Sequence, residues 1–208
     1  MKLLDRLHER GVLPRRAARL ATLLAGLIPQ QASVLDVGSG DGRIDGLLLE
    51  KRPDITIQGV EVSSRAQSSF PATYFDGQTL PFGDGSFDVV MFVDVLHHTD
   101  DPMVLLREAV RVARKSIVLK DHLLKGFMAG SRLRFMDFVG NARHGVALPF
   151  NYWSEQQWAG AERALGLNNR MKARELGLYP WPADWVFGAS LHFIACYDLS
   201  DPPRSRSA

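Results

Sequence analysis

Two groups of residues in this 208-residue chain have types and spacings that could do chemistry. The first is a series of carboxylates placed beside glycines. Asp36 precedes Gly38-Ser39-Gly40-Asp41-Gly42, Glu61 closes an apolar run, and Asp76 precedes Gly77-Gln78. Glycines let the backbone turn sharply with no side chain between it and a ligand. A carboxylate at a strand end can accept two hydrogen bonds from a ribose diol, and a second one can accept from an adenine amine. The other group is histidines: His97-His98, Asp121-His122 and His144, with Asn151 and Tyr152 close behind. Each could be a proton acceptor or a contact for a bound substrate, or simply a packing or loop histidine. His144 ranks first among them as a candidate base, ahead of His98 and His122.

The glycine pattern narrows the ligand. A pyrophosphate-binding GxGxxG run needs a third glycine, but Arg43 stands there if the pattern starts at Gly38, and Asp45 if it starts at Gly40. No Gly-Lys-Ser/Thr phosphate loop is present. Asp36 and Asp41 would repel a pyrophosphate and suit a ligand that carries an ammonium and hydroxyls.

The elements that must hold these residues read as alternating strands and helices. Ser33–Val37 is a short apolar strand running into the glycine turn, and residues 43–51 follow as a helix with Ile44, Leu47 and Leu48 on one face. Residues 55–60 form the next strand, 63–69 a short helix, 73–75 a short strand, 87–93 a fourth strand, 102–114 a helix opened by Pro102, and 116–120 a fifth strand. This alternation means a mostly parallel sheet covered on both faces. Residues 1–29 read as two basic helices separated by Gly11 and Pro14, and 121–150 break the rhythm with glycines, aromatics and arginines. Ser154 caps a helix over 155–165, and 170–175 and 191–197 are candidate strands.

Apolar residues make up 46% and charged residues 23%, which excludes fibrous, coiled-coil and wholly disordered chains. Twenty-five Lys and Arg against 23 Asp and Glu leave a net charge of +2, too small to argue for nucleic acid or an anionic membrane. The single cysteine, Cys196, allows no internal disulfide, and no Cys/His cluster has metal-ligand spacing. No apolar run reaches membrane-spanning length and no secretory leader is visible, so a cytoplasmic protein is expected.

Taken in order, Val34-Leu35-Asp36-Val37-Gly38-Ser39-Gly40-Asp41-Gly42, Gly59-Val60-Glu61-Val62, Asp76-Gly77-Gln78-Thr79-Leu80-Pro81-Phe82 and Ser86-Phe87-Asp88-Val89-Val90 with Val93-Asp94-Val95-Leu96-His97-His98 resemble the class I S-adenosylmethionine-dependent methyltransferases of the domain 11 type. The resemblance covers residues 33–120 and continues more loosely to 197. It implies a Rossmann-like α/β fold with a mostly parallel seven-stranded sheet, an antiparallel last strand and helices on both faces. It also implies S-adenosyl-L-methionine as cofactor. Gly38, Ser39 and Gly40 would line its methionine part and Asp36 would hold the first loop and the amine. Glu61 would bind the ribose, with Val62 beside it. Asp76, Gly77 and Gln78 would meet the adenine, and Val93 the ammonium, with Asp94 adjacent. Only 15 positions separate Glu61 from Asp76, which predicts a short or partly unwound connection and an open adenine side.

The expected organisation is one methyltransferase domain over 1–208, with an N-terminal helical cap at 1–30 and an acceptor-site lid at 121–153. The expected partner is a small or medium organic acceptor. A membrane partner and a nucleic acid are not expected, and a homodimer is conceivable from the tryptophan-rich stretch around Trp181 and Trp185. Competing functions are a protein- or RNA-directed methyltransferase and a cofactor-binding scaffold without catalysis. A nicotinamide-dinucleotide-binding protein is disfavoured by the missing third glycine.

Overall fold

A computed structural model describes residues 13–62, 70–141, 149–181 and 183–199. The first basic helix, the 63–69 connection and His144 therefore lie outside the described residues.

Seven strands form one sheet: β1 (Ser33–Val37), β2 (Thr56–Glu61), β3 (Ala72–Tyr74), β4 (Phe87–Val93), β5 (Ala113–His122), β6 (Leu167–Ala173) and β7 (His192–Leu199). Their order across the sheet is β3-β2-β1-β4-β5-β7-β6. Strands β1 to β5 pair in parallel, whereas β7 runs antiparallel to both β5 and β6. The order reverses direction at β1 and β4, and open α/β sheets bind ligands beyond the strand ends at such a point.

Six α-helices lie among the described residues: α1 (Leu13–Ala25), α2 (Arg43–Lys51), α3 (Pro102–Val112), α4 (Ala129–Asn141), α5 (Glu155–Ala164) and α6 (Ala183–Phe187). The central strands β1 and β4 are largely apolar on both faces because both faces are covered. Val34, Val89 and Met91 pack with Leu20 and Leu24 of α1 and Leu48 of α2. The alternate residues Leu35, Val37, Val90 and Phe92 pack with Leu105, Leu106 and Ala109 of α3 and Trp158 of α5. Period-two alternation along β1 and β4 thus feeds two cores, and each fully buried Leu, Val or Phe contributes about 1.5–3 kcal/mol.

Several boundaries differ from the sequence reading. Strand β5 starts at Ala113 and ends at His122, so α3 stops at Val112, and Asp121 and His122 are strand residues rather than part of a following loop. Pairing with β7, His122 opposite His192, extends the strand beyond its apolar run. Strand β6 begins at Leu167, three residues before the expected start, because its polar residues lie along an edge strand. Ser154 caps α5 as expected, in a reciprocal capping box with Gln157.

Candidate functional site

The glycine turn after β1 is built by three left-handed residues, Gly38, Gly40 and Gly42 (φ 77°, 62° and 72°). A Cβ on Gly38 would stand 2.6 Å from a methyl of Val95, so that position requires glycine on two counts. The Gly38 amide donates to Val60 O of β2 at 2.8 Å, which docks the turn between the tips of β2 and β4.

Glu61, at the tip of β2, is buried. Its Oε2 accepts from the Gly40 amide and its Oε1 from the Val62 amide, both at 3.1 Å. The carboxylate is thereby held against the turn in a fixed orientation. Glu61 stands opposite Tyr74 of β3, and Phe75 N donates to Glu61 O, so Asp76 follows directly on the neighbouring strand tip. Asp76 is exposed, and its Oδ1 accepts from the amides of Gln78 and Thr79. Those bonds hold its carboxyl below the usual carboxylate range. Gly77 is left-handed, and a Cβ there would come within 3.2 Å of Val62, so the loop that carries Asp76 packs against the tip of β2. Arg111 of α3 fastens the next stretch of that loop through Leu80 O, Phe82 O and Asp84, while Glu108 accepts from Leu80 N.

Asp36 lies inside β1 and meets Asp45 of α2 beneath the turn. Both are buried. Burial raises Asp36 well above the ordinary range, with repulsion from Asp45 and Glu61 adding to it. Burial likewise raises Asp45 to about 6. Two buried carboxyls this close to each other disfavour being charged together.

Beyond β4 and β5 the polar groups are buried together. Asp94 follows Val93 with a left-handed backbone (φ 58°), and its amide donates to Lys120 O. Its carboxylate ion-pairs with Arg16 of α1 and with Lys120 of β5. These cations hold it well below the ordinary range against the opposing effect of burial. Lys120 is fully buried, and burial lowers it to about 8. Its Nζ is 3.1 Å from His192 Nδ1, while His192 Nε2 is 2.8 Å from Phe187 O. A carbonyl only accepts, so Nε2 carries the His192 proton and Nδ1 accepts from Lys120.

His97 is the centre of the remaining cluster. Its Nδ1 is 2.6 Å from Asp121 Oδ1, and its Nε2 faces Asp137 of α4. Burial alone would lower it, but Asp121 and Asp137 outweigh that and raise it to about 10. Asp121 also accepts from the amides of Leu96 and His122. Tyr152 donates to Asp137 Oδ2 at 2.5 Å, and Asn151 is tied to the His97 turn through Asn151 N to His97 O. His98 is lowered to about 4, by burial first and then by His97, and His122 is lowered for the same two reasons.

The sequence-derived residues thus fall into two neighbouring groups at the same end of the sheet. Asp36, Gly38, Ser39, Gly40, Glu61, Val62, Asp76, Gly77 and Gln78 surround the β1–β3 tips, and Val93, Asp94, His98 and His122 stand at β4 and β5. Sequence reasoning did not assign Arg16, Lys120, Asp137 and His192 to the site. Their one visible signal is charge or imidazole inside or beside apolar strand and helix patterns. A cavity of about 360 Å³ opens beside His192, lined also by Leu176, Leu178, Asp184 and Gly188; it lies on the β6–β7 side and is not the Glu61 crevice.

A methyltransferase domain family matches residues 35–118. The 27-O-demethylrifamycin SV methyltransferase of Amycolatopsis mediterranei is 31% identical over 139 residues, 59% of this chain and 51% of that protein. The demethylmenaquinone methyltransferase of Thermotoga maritima is 29% identical over 120 residues, 54% and 52% of the two chains. The chain thus spans about half the length of the curated relatives it matches. A SAM-dependent methyltransferase from Aquifex aeolicus shares the fold with a TM-score of 0.59 at 15% identity, covering 96% of each chain. Among the described residues no helix is long and apolar enough to cross a membrane.

Proposed function

We propose that the chain, whose residues 35–118 match a methyltransferase domain family, is a class I S-adenosylmethionine-dependent methyltransferase and moves a methyl group from S-adenosyl-L-methionine to a small or medium organic acceptor. The observation that carries this reading is the pair of carboxylates on adjacent strand tips, with Glu61 fixed by the Gly40 amide of the glycine turn. Glu61 would accept from the ribose hydroxyls and Asp76 from the adenine amine, with Val62, Gly77 and Gln78 around the base. Gly38, Ser39 and Gly40 would follow the amino-acid tail. Asp36 would support the turn from below through its contact with Asp45, and Val93 would offer its carbonyl to the ammonium beside Asp94.

Transfer is an in-line displacement: an acceptor lone pair forms a bond to the methyl carbon as the sulfur–carbon bond breaks, leaving S-adenosylhomocysteine. The protein's main tasks are alignment and exclusion of water. The buried His97–Asp121–Asp137–Tyr152 group stands on the acceptor side of this arrangement. His98 and His122, both held neutral at pH 7, would accept hydrogen bonds or a proton from the acceptor, together with His144. The lid expected over 121–153 would begin only after His122, since Asp121 and His122 belong to β5. The relatives above are named for a rifamycin derivative and for demethylmenaquinone, which supports an organic acceptor rather than a protein or RNA.

Calorimetry with S-adenosylhomocysteine tests the reading. The wild-type chain should bind it, and Glu61→Ala should weaken binding about 100-fold or more, since hydrogen bonds to a charged group are worth about 1.5–3 kcal/mol each. Absence of binding by the wild-type chain refutes the proposed cofactor, and unchanged affinity in Glu61→Ala refutes the ribose assignment.

A further inference from the structure

Among the described residues, a set of ligating side chains is buried between β5, α4 and the turn after β4. His97, His122 and Asp137 each offer one ligand atom, all within 4.8 Å of one another. His97 is only 3% exposed, yet its Nε2 has no hydrogen-bond partner. Asp137 Oδ2 lies 3.6 Å from that nitrogen. This is too long for a hydrogen bond. It is close to the roughly 3.4 Å expected between neighbouring ligands of a tetrahedral ion bound at about 2.1 Å. The other ring nitrogen of His97 is held by Asp121 at 2.6 Å. A carboxylate behind the ring is the arrangement that fixes the tautomer and direction of a metal-binding imidazole. Tyr152 steadies Asp137 in the same way.

An overlapping set, Asp94, His122 and His192, has comparable spacing. It is already served by an internal cation. Lys120 Nζ ion-pairs with Asp94 and sits 3.1 Å from His192 Nδ1. That ammonium already fills the Asp94 set, whereas among the described residues no Lys or Arg ion-pairs with Asp137, and His97 Nε2 faces it without a hydrogen bond.

We propose that His97, His122 and Asp137 bind a divalent transition-metal ion, with Asp121 and Tyr152 as outer partners. Two imidazoles and one carboxylate suit ions of the zinc, iron, cobalt and manganese type and leave coordination positions open. Binding releases any proton on His97 Nε2, while Nδ1 keeps its proton on Asp121. Where the methyl-transfer reading above holds, on which this last step rests, an open position suits an oxygen of the acceptor, which would favour hydroxyl acceptors over amines.

The test is titration of the chelator-stripped full chain with Co²⁺ alone, followed by its visible absorption and by metal analysis after desalting. One saturable equivalent per chain is expected. Asp137→Asn and His122→Gln should each weaken it at least tenfold, and Asp121→Asn about 10- to 100-fold. Circular dichroism identifies any variant that has lost its fold. Wild-type chain that takes up no Co²⁺ saturably overturns the site, as does binding that folded Asp137→Asn and His122→Gln leave unmoved. S-adenosylhomocysteine calorimetry on the same samples separates the two proposals. Cofactor binding without metal removes the metal site alone, and metal binding without cofactor leaves the site standing and removes the methyl-transfer reading.

Discussion

The tips of β2 and β3 and the tips of β5 and β7 present carboxylates in opposite ways. Asp76 is exposed and bonds only amides of its own loop, two and three residues ahead. Asp121 is 1% exposed and joins the turn after β4 to β5, through Leu96 N, His97 Nδ1 and His122 N. The first arrangement is made by short-range backbone geometry and leaves the carboxylate available to a ligand. The second is made by distant residues meeting, and it commits the carboxylate to the fold. A group of the first kind should matter to binding and little to stability, and one of the second kind should matter to stability first.

The largest expected effect is therefore at Asp121. Asp121→Asn keeps the shape but removes the counter-charge of His97. Removing one partner of a buried ion pair costs about 3–5 kcal/mol. The midpoint of urea unfolding for the metal-free chain should fall accordingly. An unchanged midpoint would show that His97 is not held charged there, and the contrast between the two regions would collapse.

This contrast also explains what the sequence could tell. The crevice was legible because it is nearly local: a glycine turn, then Glu61, then Asp76, each directly after an apolar run. The seven-stranded sheet with its antiparallel last strand came from the family resemblance rather than from the residues. The histidine side was only half legible. His98 and His122 stood out by type, but His97 became central only through Asp121 and Asp137, which lie 24 and 40 positions away. Arg16 reaches Asp94 across 78 positions. No periodicity carries such a pairing. Lys120 looked like the polar end of a strand, and it is fully buried because β7 continues to pair beyond it.

The second effect sits beneath the crevice. Asp45 shifts from 3.8 in an ordinary carboxyl to about 6, because burial disfavours its charge. A folded-state value above the unfolded one means stability that is present below about pH 4 and lost as pH rises through 6. Asp36 shifts the same way and extends the loss upward. Asp45→Asn keeps the shape of the side chain and removes its ionisable group. It should add about 2–3 kcal/mol at pH 7.5 relative to wild type, and the gain should vanish near pH 4. Denaturant unfolding at both values measures it. A gain independent of pH would mean that burial does not raise the Asp45 carboxyl in the folded chain.

The smallest effect separates two roles that Asp76 could play. Its Oδ1 already shapes the loop through Gln78 N and Thr79 N, so a loss of cofactor affinity in Asp76→Ala would not say whether loop or ligand was affected. Asp76→Asn resolves this. The amide oxygen can still accept from both loop amides, while the new NH₂ group would point where a second acceptor oxygen had been. If that oxygen meets the adenine amine, two donors now face each other, and S-adenosylhomocysteine should bind about tenfold more weakly. The unfolding midpoint should stay where it was, unlike that of Asp121→Asn. Wild-type affinity in Asp76→Asn would make Asp76 a residue that only shapes its loop, and Glu61 would then be left as the one carboxylate at these tips that grips the nucleoside.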